Sequence, residues 1–140
     1  MRRAISAAYY GVFHAIAAEL ADDLVGRTQR QTALYALVYR SIDHRSLRDL
    51  CEIVKKATPP EKLRKYAPAG GFDNDWKALA EAVLDLQEKR HSADYDPLFR
   101  VTTSDAALAV ATGRTALRRL RSASREQIKA FLLLLKFSPR

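Results

Sequence analysis

The residues best equipped for chemistry in this sequence form a short polar cluster near position 90. Arg90 carries a permanent cation whose planar guanidinium fits a phosphate or a carboxylate, and Asp94 and Tyr95 follow within about one helical turn. One interpretation is a polar cleft that binds phosphate or a nucleotide, with Arg90 as the anion contact. The other is structural: Arg90 pairs with Asp94 or Asp96 to fix a loop, and Tyr95 packs against the first helix. We favour the structural interpretation, because ion pairs that shape loops are more common than active sites.

A histidine near the start of the chain offers a second candidate for acid–base chemistry. Tyr10 and His14 are four residues apart, so they share one face of a helix. His14 could serve as a substitute acid or base if it faced Arg90 across the protein, since an unperturbed imidazole titrates near neutral pH. Alternatively, His14 is half-buried and bonded to a tyrosine hydroxyl or a backbone carbonyl. We favour this alternative, because buried polar groups usually only satisfy each other.

A third group of residues contributes charge. The chain has 24 Lys and Arg against 16 Asp and Glu, a formal net charge of +8, which favours contact with RNA, DNA or an acidic protein. Four arginines at helical spacing could form one basic stripe that grips an RNA backbone or an acidic partner. A solvated helix face explains the same spacing, and no aromatic residues are interleaved for base stacking. The four are Arg114, Arg118, Arg121 and Arg125.

Several kinds of site are not predicted. The sequence has no HExxH motif, no cysteine pair and no tightly spaced histidines and carboxylates, so we expect no metal and no cofactor. The lone Cys51 cannot form an internal disulfide, which favours a reducing compartment. No run of about eighteen apolar residues is present, and the amphipathic pattern after Arg2 and Arg3 is unlike a signal peptide. We therefore predict a cytoplasmic protein without a membrane segment.

Apolar residues recur at helical spacing through most of the chain, and strand-like alternation is absent. This pattern predicts an all-α protein with one domain over residues 1–140. Ser46 with Asp49, and Ser124 with Gln127, match the capping-box pattern at helix starts. The predicted helices cover residues 2–25, 29–42 and 75–91, and further helices start at Ser46, at Thr103 or Ser104, and at Ser124.

The apolar periodicity also predicts which residues face the core. An irregular passage is expected over residues 92–103, between two long helices. The second helix is expected to bury Leu34, Leu37, Val38 and Ile42. The long helix after residue 103 is expected to bury Ala107, Val110, Ala111, Leu117 and Leu120.

Two separated stretches resemble the HEPN family of helical domains. Ser6–His14, in which paired tyrosines precede a Phe-His pair, is similar to the family's first-helix signature, and Leu86–Pro97 is similar to the junction before its long fourth helix. The resemblance implies an up-and-down bundle of four main helices with short additional helices, usually dimeric, from prokaryotic toxin–antitoxin and defence systems. Many members of the family are metal-independent endoribonucleases. Others are partners of a minimal nucleotidyltransferase.

The ribonuclease motif of that family is incomplete in this sequence. It consists of an Arg, four to six further residues and a His, placed in a cleft at the dimer interface. Arg90 is present, but Asp94–Asp96 occupies the histidine position, and none of His14, His44 and His91 has an Arg at the required spacing. We therefore expect a module that acts as a homodimer and associates with RNA or a partner protein. The partner would be the minimal nucleotidyltransferase of a toxin–antitoxin pair.

Two alternatives remain open. The protein could be a divergent metal-independent endoribonuclease that uses Arg90 with Asp94, Tyr95 or His14. It could also be a DNA-associated helical regulator that uses the arginine stripe. The DNA alternative is the weakest, because no short helix-turn-helix with a Gly turn is apparent.

Overall fold

The computed structural model describes residues 1–139, and all the regular structure in that range is helical. The all-α prediction is therefore confirmed for the described residues, whereas the bundle of four main helices stays a prediction. A 3₁₀ turn at Arg27–Gln29 follows the first helix. The helices are α1 (Arg2–Leu24), α2 (Ala33–Tyr39), α3 (His44–Val54), α4 (Glu61–Arg64), α5 (Asn74–Tyr95), α6 (Thr103–Ser122) and α7 (Arg125–Lys136).

The core is built around α1, which contacts α2, α5, α6 and α7. Its buried residues recur every three or four positions, so one broad face of the helix is removed from water. α5 packs against α1 and also contacts α3 and α6. The buried residues of α1 are Ile5, Tyr9, Val12, Phe13, Ile16, Ala17, Leu20 and Ala21.

Among the described residues, α1 is the one helix long and apolar enough to cross a membrane. Polar and charged residues interrupt the apolar residues of α1, so the sequence contains no long continuous apolar run there. In the structure, 44% of the most apolar window of α1 is buried inside the protein. Partial burial of one face is the behaviour of an amphipathic core helix. The absence of a membrane segment stays a prediction.

The inner face of α6 is lined by small residues. A Cβ atom added at Gly113 would lie 3.4 Å from the Ala8 Cβ atom, so α1 and α6 approach each other closely there. The prediction that Ala107, Val110, Ala111 and Leu117 face inward is wrong in detail: two are exposed and two are half-buried. The predicted face is shifted by about one residue from the buried one, because the close contact with α1 at Gly113 selects the side of α6 that carries the smallest residues. Leu120 is buried as predicted, and the other buried residues are Ala106, Ala109, Gly113 and Ala116.

The second helix is shorter than predicted and turns a different face inward. Thr32 caps it by accepting a hydrogen bond from the Tyr35 backbone N–H, so the helix begins at Ala33. Leu34 and Leu37 were expected to be buried, but both are exposed. Tyr35 is buried instead, because its hydroxyl donates to Asp22 Oδ1 at 2.9 Å while its ring packs inward. Of the other predicted positions, Ile42 is buried and Val38 is half-buried.

Three helix boundaries also differ from the sequence prediction. α3 begins at His44, since the Asp43 carboxylate caps it by accepting from the Ser46 backbone N–H. α6 has its capping box at Thr102 and Asp105, one residue before the predicted cap. α5 continues to Tyr95, so the first residues of the predicted irregular passage form the last turn of a helix.

The start of α7 is capped by Ser124 as predicted, but the expected capping box is incomplete. Ser124 accepts from the Gln127 backbone N–H, whereas the Gln127 side chain turns towards the loop before α5. Its Oε1 atom accepts from the Asp73 backbone N–H at 3.2 Å, and its Nε2 atom donates to the Gly71 carbonyl at 3.3 Å. Gln127 is thereby buried with its amide satisfied, and it ties α7 to α5.

Candidate functional site

Arg90 lies in the second half of α5 with its side chain only 12% exposed, between two tyrosine rings of α1. Its guanidinium carbon is 5.2 Å from the ring centroid of Tyr9 and 5.5 Å from that of Tyr10. Its Nη1 atom donates to the Tyr10 hydroxyl at 3.1 Å. The predicted pairing with Asp94 is present but long, with 3.8 Å between Nη1 and Oδ2. Aromatic faces therefore stabilise this cation more directly than the carboxylate does.

The end of α5 is fixed to the start of α1 by polar contacts. The Ser6 hydroxyl donates to Asp94 Oδ1 at 2.7 Å. Arg2 donates to the carbonyl groups of Ala93, Asp96 and Phe99, which lie at and just beyond the last turn of α5. A cation at this position satisfies carbonyls that have no partner within the helix. The contacts hold Asp94 and Arg90 in register with the tyrosines of α1.

His44 is the member of this cluster that the sequence analysis did not identify. It is the first residue of α3, and its Nδ1 atom lies 2.7 Å from the Tyr9 hydroxyl. Gln87 Nε2 donates to the same hydroxyl at 3.2 Å and to the His44 carbonyl at 3.0 Å. The His44 ring also stacks on Phe13, with centroids 4.2 Å apart.

Burial and charge determine the protonation of this pair. Burial raises the pKa of the Tyr9 hydroxyl to about 12, so the phenol keeps its proton. Burial, followed by the positive charge of Arg90, lowers the pKa of His44 below its usual 6.5. The Tyr9 oxygen accepts from Gln87 Nε2, and Nδ1 of a neutral His44 can accept the phenol hydrogen.

The pKa of His44 gives a prediction for stability against pH. The unfolded chain binds a proton on His44 more tightly than the folded protein does, so stability falls as pH drops below about 6.5. We expect the free energy of unfolding to fall more between about pH 7.5 and 5.5 in the wild type than in His44→Gln. Urea titrations at the two pH values measure this difference. The exposed His91→Gln variant is the control and should behave like the wild type; equal pH dependence in His44→Gln would contradict the assignment.

The structure brings His14 near the cluster but does not give it the expected partner. The predicted half-buried, hydrogen-bonded histidine is wrong: His14 is exposed, and its ring stacks on Tyr10 and Tyr39 at centroid distances of 5.9 and 5.8 Å. The Tyr10 hydroxyl is bonded to Arg90 instead. Tyr10 is thus a neighbour of both Arg90 and His14.

Tyr95 lies apart from the other candidates. The expectation that it packs against the first helix is wrong, because its side chain is 67% exposed and its ring contacts His91, with centroids 5.0 Å apart. It follows Asp94 at the last helical position of α5 and projects into solvent.

A wide groove between α3 and α5 borders the cluster. It has a volume of about 810 Å³, and Gln87 and Arg90 form part of its wall. Gln87 Oε1 and Arg90 Nε are buried and have no hydrogen-bond partner among the described residues. Both acidic and basic side chains line the rest of the groove, so its walls have no single sign of charge. Its other ionisable residues are Arg48, Glu52, Lys55, Glu81, Asp85, Glu88 and His91.

The predicted stripe of four arginines is reduced to three. Arg125 belongs to α7 and pairs with Glu19 and Asp23 of α1, so its charge is neutralised. Arg114, Arg118 and Arg121 are exposed on α6, and no carboxylate within the described range lies within 4.0 Å of them. We call these three residues the arginine face.

The arginine face surrounds a shallow depression of about 390 Å³. Leu117 and Ala111 contribute apolar surface to it, and Arg118 Nη2 donates to the Thr115 hydroxyl at 3.0 Å. The neighbouring Arg119 instead lies near Asp75, with 3.9 Å between Nε and Oδ1. Cationic side chains around a shallow, open surface suit an extended polyanion better than a small enclosed ligand.

Within residues 1–139, no group of three or more His, Cys, Asp or Glu side chains is close enough to hold a metal ion. No family model, no curated protein and no solved structure matches this chain.

Proposed function

We propose that this protein is a HEPN-type helical module that acts as a homodimer and binds RNA through the arginine face. The observation that carries the proposal is that Arg114, Arg118 and Arg121 are exposed without acidic partners in the described part of the chain. They span about 10 Å along α6, at about 1.5 Å of rise per residue. Three fixed cations in a row attract a phosphate backbone.

The contrast with other arginines supports the proposal. Arg30 is bonded to Asp22, and Arg125 to Asp23, with short charge-assisted hydrogen bonds. Their charges are therefore largely cancelled at close range, whereas those of the arginine face are not. No aromatic side chain lines the arginine face, so we expect it to contact the RNA backbone rather than stack on bases.

The HEPN assignment is supported by the contact between the two stretches that carry the resemblance. Tyr9 and Tyr10 from the first stretch enclose Arg90 from the second. Under the proposal, the protein has a bundle of four main helices in one cytoplasmic domain. Its partner would be the minimal nucleotidyltransferase of a toxin–antitoxin pair.

Fluorescence anisotropy with a labelled single-stranded RNA tests the arginine face. We expect the Arg118→Glu/Arg121→Glu variant to bind at least about tenfold more weakly than the wild type near physiological salt. Its dependence of log affinity on log salt should be shallower by roughly 1.4, because two phosphate contacts are lost at about 0.7 each. The matched control is Arg40→Glu/Lys56→Glu, which makes the same charge change at two exposed positions outside α6.

The control separates the arginine face from net charge. Equal weakening in both double variants would show that only the total charge matters. Unchanged RNA affinity in Arg118→Glu/Arg121→Glu would remove the arginine face from the proposal. Tighter binding of duplex DNA than of RNA would favour the DNA-associated regulator.

The divergent endoribonuclease is a second candidate, because the structure places His44 and Tyr9 beside Arg90. The family's ribonuclease motif combines an arginine with a histidine. This sequence does not have the two residues at the spacing of the motif, whereas His44 and Arg90 come from different helices. The Asp94 carboxylate lies 3.8 Å from Arg90, and His14 stacks on Tyr10, which accepts from Arg90. Tyr95 is exposed and contacts His91 instead. Incubation of the protein with the same labelled RNA in the presence of a metal chelator, followed by gel analysis, distinguishes an endoribonuclease from a protein that only binds RNA. We expect intact RNA; cleavage that disappears in both Arg90→Lys and His44→Gln would favour the enzyme.

A further inference from the structure

The outer side of α7 carries an apolar groove that is separate from both the polar cluster and the arginine face. It has a volume of about 330 Å³ and runs between α7 and the segment after α4. Its walls include Tyr66, Leu133 and Phe137, which are 50%, 36% and 61% exposed. Large apolar side chains that are grouped and open to solvent mark interaction surfaces more often than isolated ones do.

A second depression of about 190 Å³ extends this groove towards α3. The two share Leu134, Ser138 and Pro139, so they form one continuous surface. Leu50 and Leu63 contribute further apolar walls to the extension. An elongated groove with an aliphatic and aromatic lining fits the apolar side of an amphipathic helix.

Lysines outnumber carboxylates around the groove: Asp49 lines the extension, but it lies 3.9 Å from Arg45 and 3.8 Å from Arg48. Lys65 lies over the Tyr66 ring, with 5.2 Å from Nζ to the centroid. Lys129 and Lys136 precede and follow Leu133 by about one turn of α7, and both are exposed. No carboxylate of the described chain lies within 4.0 Å of these three amines. The nearby Glu126 accepts a hydrogen bond from the Ala69 backbone N–H.

The charges around the groove indicate which kind of molecule it binds. A second copy of the same groove would bring lysines against lysines, which disfavours self-association through this surface. The Lys136 amine donates to the Ser41 carbonyl at 3.5 Å but has no carboxylate within 4.0 Å among the described residues. An apolar groove between amines without carboxylate partners complements a helix with leucine-like side chains on one face and carboxylates beside them. We infer that the α7 groove docks an acidic amphipathic helix of a partner protein. This inference is independent of the RNA proposal, because it uses no residue of the arginine face.

Binding of two designed peptides tests the inference on the intact protein. The probe is a fluorescein-labelled peptide with leucines at helical spacing and glutamates at most other positions. The matched peptide has lysines in place of the glutamates. We expect the acidic peptide to bind and the basic one not to bind. Phe137→Ala should weaken binding of the acidic peptide about tenfold, whereas Leu108→Ala, at an exposed leucine of α6, should leave it unchanged.

Further variants examine the charge and the competing occupants. The Lys129→Glu/Lys136→Glu variant should bind the acidic peptide at least about tenfold more weakly than the wild type does. The Arg40→Glu/Lys56→Glu variant should lose much less affinity. Failure of the acidic peptide to bind, or equal binding of the two peptides, would overturn the inference. A change of oligomeric state in Leu133→Glu, measured by sedimentation, would assign the groove to a second copy. Loss of RNA affinity in Phe137→Ala would assign it to RNA. Circular dichroism of each variant verifies that the helices are intact.

Discussion

Replacing Arg90 with alanine is expected to lower the free energy of unfolding by roughly 2–4 kcal/mol. The guanidinium is nearly buried, donates to the Tyr10 hydroxyl and lies against the rings of Tyr9 and Tyr10. Alanine would remove these contacts, leave a cavity between α1 and α5, and separate the Asp94 carboxylate from its nearest cation. Urea denaturation followed by circular dichroism should show the midpoint falling by about 1–2 M.

Two variants make the Arg90 experiment specific. Arg100→Ala removes an exposed arginine and should change the stability by less than about 0.5 kcal/mol. Tyr10→Phe keeps the ring but removes the hydroxyl acceptor, so its effect should be about 1 kcal/mol. An Arg90→Ala protein as stable as the wild type would show that the cation is free for a ligand rather than used in packing.

Replacing Trp76 with alanine is expected to cost about 3–5 kcal/mol of stability. Trp76 is the largest fully buried side chain and joins α5 to α7, with its ring centroid 5.1 Å from that of Phe131. It also stacks on Phe72 at 6.3 Å. Its Nε1 atom is buried without an acceptor among the described residues, which already carries a cost that alanine would relieve.

The controls for Trp76 address ring size and burial. Trp76→Phe keeps an aromatic ring, removes the unpaired N–H group and should cost less than the alanine variant. Tyr95→Ala removes an aromatic ring that is mostly exposed and should change the stability by less than about 0.5 kcal/mol. If Trp76→Ala and Tyr95→Ala had similar midpoints in urea, the packing between α5 and α7 described above would be contradicted.

Helix type and approximate position could be predicted from the sequence because they depend on local periodicity and caps. The apolar face of α1 and the Ser124 cap are of this kind. The inner face of α6 could not be predicted, because Gly113 is buried only through its close approach to Ala8. The buried side of α2 could not be predicted for a related reason, because it depends on the hydrogen bond between Tyr35 and Asp22.

The candidate site could be predicted only where its members are neighbours on one helix. Arg90 and Asp94 are separated by one turn, and their pairing was anticipated from that spacing. His44 meets Tyr9 from a different helix, 35 positions away in the sequence, and no local pattern joins the two. Arg125 appeared to continue the spacing of the arginines before it, but a helix break at Ala123 and Ser124 redirects it towards α1.

The central position of α1 affects how the chain must be synthesised. α1 leaves the ribosome before both of these partners, since α5 begins only at Asn74 and α6 ends at Ser122. At translation rates of about 5–20 residues per second, its apolar face waits on the order of 5–20 s for these two partners. During that interval this long, apolar helix is open to chaperones, to aggregation and to the machinery that sorts nascent chains to membranes.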